Sequence, residues 1–448
     1  MKQSKKNVCG FVVGIGILSS TAVATSQRVV SIQESIQMAF ERRPDIRNAQ
    51  LNLLAAKAQI KEGYSPYLPQ ASAQFTFDDN LKLQTNVIPA GIFGPEPIKV
   101  RFGTTYAGVA SAQVEQKIYD QSLLTGFKAF KPALEAAVES IEKLRQEVAF
   151  EVAKAYIQAA IVMMQSAPLV EIRTGYEKLH RILELQVKEG FALSTDLETL
   201  QLALKNVEAQ ISQLQLKKET ALLRLKALMF VPETEAILPD TAGLKNLLRS
   251  GPSDPPFDPM LLPEYRLLKK NLSIQEVQFK RVRHGYIPTV SAYARYGLQA
   301  LNNDFSNLWG RWFDFSSVGF RLSIPLFDGL LKEARYSQAR IQWLQLQDQM
   351  TLTERLLKLQ FDGAALARRQ AFLDLRQQEL NQALALRLLG QARLAFSQGQ
   401  QPLAQVIQAE IQVQQSIMNY HNTLLAQLEA ELTLRKASGN LLKSLNIQ

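Results

Sequence analysis

The sequence predicts a mainly α-helical protein with a minor β component of the membrane type, built from one unit used twice. Three observations carry that expectation. The chain repeats itself at a nearly constant spacing, it contains helical stretches far longer than a globular domain needs, and it contains four short segments in which apolar and polar residues alternate.

The repeat is visible without gaps over residues 44–77 and 263–296, an offset of 219. Pro44 falls on Pro263, Arg47 on Arg266, Leu53 on Leu272, Gln59 on Gln278, Lys61 on Lys280, Tyr67 on Tyr286 and Pro69 on Pro288. Further on, Ile118-Tyr119-Asp120 falls on Leu326-Phe327-Asp328 at 208, and Gly190 on Gly399 at 209. The offset shrinks only between the two strands of each half, where one loop is shorter. Each half therefore reads as a helix, a Tyr-x-Pro corner, two strands joined by a loop, and two long helices joined at a glycine. The expected organisation is a leader at 1–24, a first repeat at 25–230, a Pro/Gly-rich linker at 231–260, a second repeat at 261–440 and a tail at 441–448.

The first helix opens with Ser31 and, three residues on, Glu34, the spacing of a capping box. After Asp120 the helical signal runs to about Glu189, some 65 residues or roughly 100 Å, with breaks or kinks expected at Pro132 and Pro168. The second half matches it from about Leu331 to Gln398 without an interior proline. The return helix after Gly190 places Leu197, Leu200, Leu204, Val207, Ile211, Leu214, Ala221, Leu225 and Leu228 on heptad a and d positions, interrupted only by Lys218. The second return helix, Leu403 to Leu434, is less regular. Sustained heptads of this kind mean antiparallel coiled-coil pairs.

The strands are expected at 70–79, 106–118, 289–299 and 317–327. Val318, Phe320, Leu322, Ile324 and Leu326 lie on one face, and Gly319, Arg321 and Ser323 on the other. Ala71, Ala73, Phe75 and Phe77 alternate in the same way with Ser72, Gln74, Thr76 and Asp78. Segments of about 9 residues with one apolar face suit a bilayer crossing. The loops between them, Asn80 to Thr105 and Ala300 to Ser317, are long. The second gathers Phe305, Trp309, Trp312, Phe313 and Phe315, as a membrane–water boundary would. Four strands cannot close a barrel, and an open edge is not tolerated in lipid. Three copies would supply twelve strands, enough to enclose a lumen.

The N-terminus has the pattern of a secretory leader: Lys2, Lys5 and Lys6, an apolar run from Val8 to about Leu18, and Ala22-Val23-Ala24 as a small-x-small cleavage site. The only cysteine, Cys9, precedes the apolar run, which argues against lipidation. Processing after Ala24 would leave no disulfide, thiol nucleophile or thiolate metal site. After the leader no run of about 18 or more apolar residues occurs. The formal charge of +10 is dispersed over helical faces as a solvated surface, not as a nucleic-acid patch.

At this point the chain resembles the TolC family of outer-membrane efflux proteins. The carriers are Ser31-Ile32-Gln33-Glu34-Ser35 leading to Arg43-Pro44-Asp45-Ile46, Tyr67-Leu68-Pro69-Gln70, Ser323-Ile324-Pro325-Leu326-Phe327-Asp328-Gly329, and the two tip glycines. The resemblance implies a homotrimer, a twelve-stranded barrel in outer-membrane lipid, and a helical tunnel across the periplasm. It also implies docking to a periplasmic adaptor (membrane fusion) protein and an inner-membrane pump, as an exit duct for efflux or secretion. Carried over by position, it puts Asp196, Phe396, Gln401, Gln405 and Gln408 at the pore constriction, and Gly190 and Gly399 at the tips that meet the adaptor. The chain departs from the family pattern there. Well-known members have an arginine at the position of Gln401 and aspartates at those of Gln405 and Gln408, so a weaker cation preference is expected. Asp196 also reads as an N-cap of the return helix.

No cofactor, metal or catalytic constellation is expected. His180, His284 and His421 are scattered, Gly14-Ile15-Gly16 opens no nucleotide fold, and there is no Walker motif or nucleophile elbow. Two other readings fit parts of the sequence: a periplasmic coiled-coil adaptor or structural protein without its own pore, and an exported enzyme on a helical scaffold. The duplicated hairpins with membrane-length strands argue against the first, and the missing constellations against the second.

Overall fold

The computed structural model describes residues 28–88, 90–91, 94–95, 98–244 and 256–447. The expected leader with Cys9, and the Ser250–Pro255 part of the linker, lie outside them. Strand β1 (Arg28–Val30) leads into α1 (Ile32–Arg42) and α2 (Pro44–Tyr64). Ser31 caps α1 by accepting from the Glu34 N–H at 3.1 Å. The Glu34 carboxylate is engaged by Arg28 instead of closing the box. Pro44 starts α2 at a position where its missing N–H costs nothing.

Four strands form one antiparallel sheet: β2 (Gln70–Asp79), β5 (Tyr106–Tyr119), β7 (Thr289–Asn302) and β8 (Phe313–Ser323), in the order β2-β5-β7-β8. The two halves thus contribute adjacent hairpins, and β5 meets β7 over a long ladder running from Tyr106↔Asn302 to Tyr119↔Val290. The register puts Ala73, Ala112 and Tyr296 side by side on the apolar face, with Ser72, Gln113 and Arg295 side by side on the polar one. The first interstrand loop is not structureless: β3 (Thr85–Ile88) and β4 (Ile98–Arg101) pair as a small hairpin within it. β8 begins and ends four residues earlier than expected. Pro325 supplies no ladder donor, so Ile324 to Phe327 leave the strand although their alternation continues. Phe313 and Phe315 consequently belong to β8, on its polar face, and are not part of a boundary loop. On the apolar face Phe75, Phe77, Tyr106, Phe305 and Trp309 make a connected aromatic cluster. Trp309 lies over Gly108, where an added Cβ would fall 2.9 Å from its ring.

Helix α3 (Gln121–Phe127), capped by Asp120, is separated from α4 (Phe130–Lys188) at Lys128–Ala129. The break lies before Pro132, which sits in the first turn of α4, where no N–H is needed. Pro168 does not break α4, which runs through it without a gap. By length and composition, one window of the Gln121–Lys188 stretch is apolar enough to cross a bilayer; 44% of it is buried inside the fold. That qualifies the expected lack of such a stretch. Helix α5 (Ser194–Leu228) returns from α4, and Phe230, two residues past its end, is left-handed at φ 55°. Strand β6 (Ile237–Pro239) then pairs in parallel with β1. The second half follows as α6 (Pro263–His284), β7, β8, α7 (Leu331–Ser397), α8 (Leu403–Ala437) and the short α9 (Leu441–Ser444). The second return helix repeats the first at an offset of 209 at both ends, from Ser194 to Leu403 and from Leu228 to Ala437.

The main core lies where α1, α4, the ends of α5 and α8, and the β1–β6 pair converge on Val148, Val152, Ile157, Ile161, Leu428 and Leu432. Tyr156 fastens the pair, with its hydroxyl 3.0 Å from the carbonyl oxygens of both Val30 and Asp240. At 1.5 Å per residue the 59 residues of α4 span roughly 90 Å and the 67 of α7 roughly 100 Å.

Gly439 closes α8 at φ +72°, with the Leu261 carbonyl oxygen 2.6 Å from where a Cβ would sit. Gly439→Ala is expected to lower stability by about 2 kcal/mol or more, since left-handed strain and a backbone clash add. Gly399→Ala, with open space around it, is expected to cost roughly half that. Thermal denaturation of the detergent-solubilised variants checks the ranking.

Candidate functional site: the helix tips

Both helical hairpins turn by the same backbone device. In the first, Gly190 (φ +79°) donates to the Val187 carbonyl and Phe191 to the Gln186 carbonyl. In the second, Gly399 (φ +71°) donates to Phe396 and Gln400 to Ala395. This is the Schellman pattern, which closes a helix on a left-handed residue and so favours glycine. It explains why a glycine stands at each tip. Phe191, just past the first, is 85% exposed.

The two tips are adjacent in space. A cleft of about 300 Å³ between them is lined by Leu183, Phe191, Asp196, Phe396, Pro402 and Leu403, among others. Of the five expected constriction residues, Asp196 and Phe396 are thus brought together. Asp196 is not the N-cap of α5: Leu193 holds that position, and Asp196 lies in the first turn, where its charge suits the positive end of the helix. Phe396 is half-buried and packs with Leu183, Leu200, Leu389, Leu403 and Val406 in a core of its own behind the tips. Gln401, Gln405 and Gln408 do not line the cleft. All three are exposed; Gln405 and Gln408, three positions apart, share one face of α8, and Gln401 lies just before the helix. That face continues upward through Gln412, Gln415 and Asn419, all exposed and uncharged.

A buried polar cluster at the meeting of the two hairpins was not foreseen. Tyr176 of α4 is 1% exposed, and Glu410 of α8 is also buried. Burial first, and then the charge of Glu410, push the Tyr176 phenol well above its ordinary value. Arg393 of α7 donates to Glu410 at 2.7 Å. Higher up, Gln165 donates to Asn422 at 3.1 Å and Gln158 to Glu429 at 2.7 Å. Apolar clusters run both within each hairpin and between the two, and the Gln165–Asn422 and Gln158–Glu429 hydrogen bonds add to the contact between them. The only hint in sequence is the density of Gln and Asn on α8, which does not say what they meet.

Among the described residues no three of His, Cys, Asp and Glu converge as metal ligands. His284 bonds Thr125 at 2.6 Å, His180 lies 3.2 Å from Gln201, and burial lowers the pKa of His421.

Comparison with known proteins places this geometry. Residues 35–229 match the family model described as outer membrane efflux protein. The alkaline protease secretion protein AprF of Pseudomonas aeruginosa is 23% identical over 231 residues, covering 49% of this chain. The chain spans 46% of the length of that curated relative. The fold is shared with the outer membrane protein VceC of Vibrio cholerae, with a TM-score of 0.71 at 15% identity over 91% of this chain and 96% of VceC. It is equally shared with the open-state MtrE outer membrane channel of Neisseria gonorrhoeae, with a TM-score of 0.71 at 15% identity over 92% of this chain and 89% of MtrE. Over residues 35–229 the chain resembles the outer membrane efflux protein family, and over about nine-tenths of its length it shares the fold of solved outer-membrane channels.

Proposed function

We propose that three copies of the chain close a twelve-stranded barrel in the outer membrane and continue it as a helical tunnel across the periplasm, forming an exit duct for efflux or secretion. The observation that carries this reading is the four-stranded sheet with one apolar face and two unpaired edges, β2 and β8. In lipid each unpaired backbone group costs several kcal/mol, so the edges call for partners, and a second copy offers β8 to β2. Below the sheet, helices of roughly 90 to 100 Å give the length needed to reach across a periplasm. The domain organisation proposed is the one read above, a leader and two repeats joined by the linker.

At the far end, Asp196, Phe396, Gln401, Gln405 and Gln408 form the proposed constriction. The Gly190 and Gly399 tips, with exposed Phe191, form the proposed seat for a periplasmic adaptor that couples the duct to an inner-membrane pump. Similarity to a protease secretion protein supports secretion alongside efflux.

Planar-bilayer recording of the purified, detergent-extracted protein tests the reading. Discrete, long-lived conducting steps are expected, and they should become more frequent when the tips are loosened by Gln401→Gly with Asp196→Ala. Silence from the loosened variant would remove the pore and favour a structural role.

A further inference from the structure

The polar face of the sheet carries an arrangement that occurs twice across β7 and β8. Tyr293 stands opposite Gly319 in the register, and a Cβ on Gly319 would fall 2.9 Å from the Tyr293 hydroxyl oxygen. The guanidinium of Arg321 lies over the Tyr293 ring at 5.3 Å. Further along, Phe315 stands opposite Gly297 and occupies the space its Cβ would take, and Arg295 lies over the Phe315 ring at 5.1 Å. In both cases a glycine leaves the space that a ring occupies, and a guanidinium lies over that ring. At the start of β8 a third guanidinium, that of Arg311, covers Phe313 at 5.0 Å.

These arginines form a column. Arg321 pairs with Ser291, four residues along β7 from Arg295, and Phe313 pairs with Gln299, four residues beyond it. Four residues of strand are about 13 Å. Arg321 is partly neutralised by Glu115 at 3.7 Å, and Lys117 by Asp120 at 3.2 Å. Arg295 and Arg311 have no carboxylate within ion-pair distance among the described residues; the nearest to Arg295 in the register is Glu115, diagonal to it across β5 and already engaged by Arg321, while Asp78 of β2 lies on the same face nearer the rim. Cation–π contact holds a guanidinium in place without consuming its charge, so the positive field is directed away from the wall.

We propose that Arg295, supported by Arg311 at the rim, makes the barrel interior the charge-selecting part of this duct and that it favours anionic solutes. The inference rests on the trimeric-channel reading, in which the polar face is the lumen and each arginine becomes a ring of three. The amide face of α8 is uncharged, which leaves Asp196 as the one charged member of the five proposed constriction residues and the tips a weaker competing filter. Such a ring acts across an open lumen only while screening is weak. The Debye length is about 30 Å at 0.01 M salt and about 10 Å at 0.1 M, so the preference should be largest in dilute salt.

The test is the reversal potential of the full-length protein in bilayers under a potassium chloride gradient, for the unsubstituted protein, Arg295→Gln and Arg295→Lys. Chloride should permeate better than potassium in dilute salt. Arg295→Gln should lower the chloride-to-potassium ratio by about twofold or more, and Arg295→Lys, which keeps the charge, should retain it. A potassium preference in the unsubstituted protein, or equal ratios in all three, would overturn the inference while leaving the channel intact. Failure of every variant to conduct, tip-loosened protein included, would overturn the channel reading and this inference with it.

Discussion

Leu366→Glu together with Leu373→Glu is expected to dissolve the detergent-solubilised oligomer into folded monomers. Both residues belong to a row on α7, Leu352, Leu359, Leu366, Leu373 and Leu380, set one heptad apart and between 58% and 68% exposed. A row of that period on a long helix is a coiled-coil seam without its partner. The partner is not in the same chain: α7 packs on α8, and α4 and α5 on each other, with α8 against α4 between the hairpins. The far flank, α5, carries a matching row at Leu202, Ala209, Leu216 and Leu223, with its three leucines also exposed. In a closed ring the α7 row of one copy would meet the α5 row of the next. Burying a leucine is worth about 1.5–3 kcal/mol, and a trimer holds three such seams. Two glutamates per seam remove that gain and add charges that cannot be hydrated inside it. Light scattering should then report one-third of the parent mass, with far-UV circular dichroism unchanged because α7 keeps its contacts with α8. A particle of parent mass would show that the seam lies elsewhere and would weaken the case for the ring.

The seam inside the first hairpin was open to sequence reasoning, whereas other features were not, and the difference is physical. Heptad spacing on the first return helix identifies Leu200, Val207, Leu214 and Leu225 because burial on a helix must follow its period, and those four are buried. The glycine tips are equally legible, since a left-handed closing residue selects glycine. Strand ends are less so: alternation runs through Ile324 and Leu326, and only the missing N–H of Pro325 explains why β8 stops at Ser323. Asp196 shows the limit of capping rules. Asp is favoured both at the N-cap and within the first turn, so composition alone cannot place it to a residue. The Tyr176–Glu410–Arg393 cluster was hidden for another reason. Its members are 17 to 234 residues apart in sequence, and only packing of one hairpin on the other brings them together. The column of Arg321, Arg295 and Arg311 needs the β7–β8 register, which turns four scattered residues, Gly297, Gly319, Tyr293 and Phe315, into supports for it.

Gln405→Asp together with Gln408→Asp should convert the tips into a cation filter. The two residues are exposed on one face of α8, three positions apart, so both carboxylates would point the same way. In a trimer they become six charges around one constriction. A unit charge about 5 Å from a passing monovalent cation stabilises it by roughly 1 kcal/mol in water-like surroundings. Even with most of that screened over a Debye length of about 8 Å at physiological ionic strength, the sum should raise the cation-to-anion permeability ratio about tenfold. Multivalent cations, attracted in proportion to their charge, should begin to block at low concentration. The readouts are reversal potential in a salt gradient and the dose of hexamminecobalt that halves the current. If this face of α8 points away from the lumen, neither will move, and the assignment of Gln405 and Gln408 to the constriction fails. The double substitution also separates the two proposed filters. Added to Arg295→Gln, it should give the strongest cation preference of any variant. With the barrel unsubstituted, it should place a cation-selecting tip in series with an anion-favouring exit, and the total conductance should fall below that of the same tips combined with Arg295→Gln.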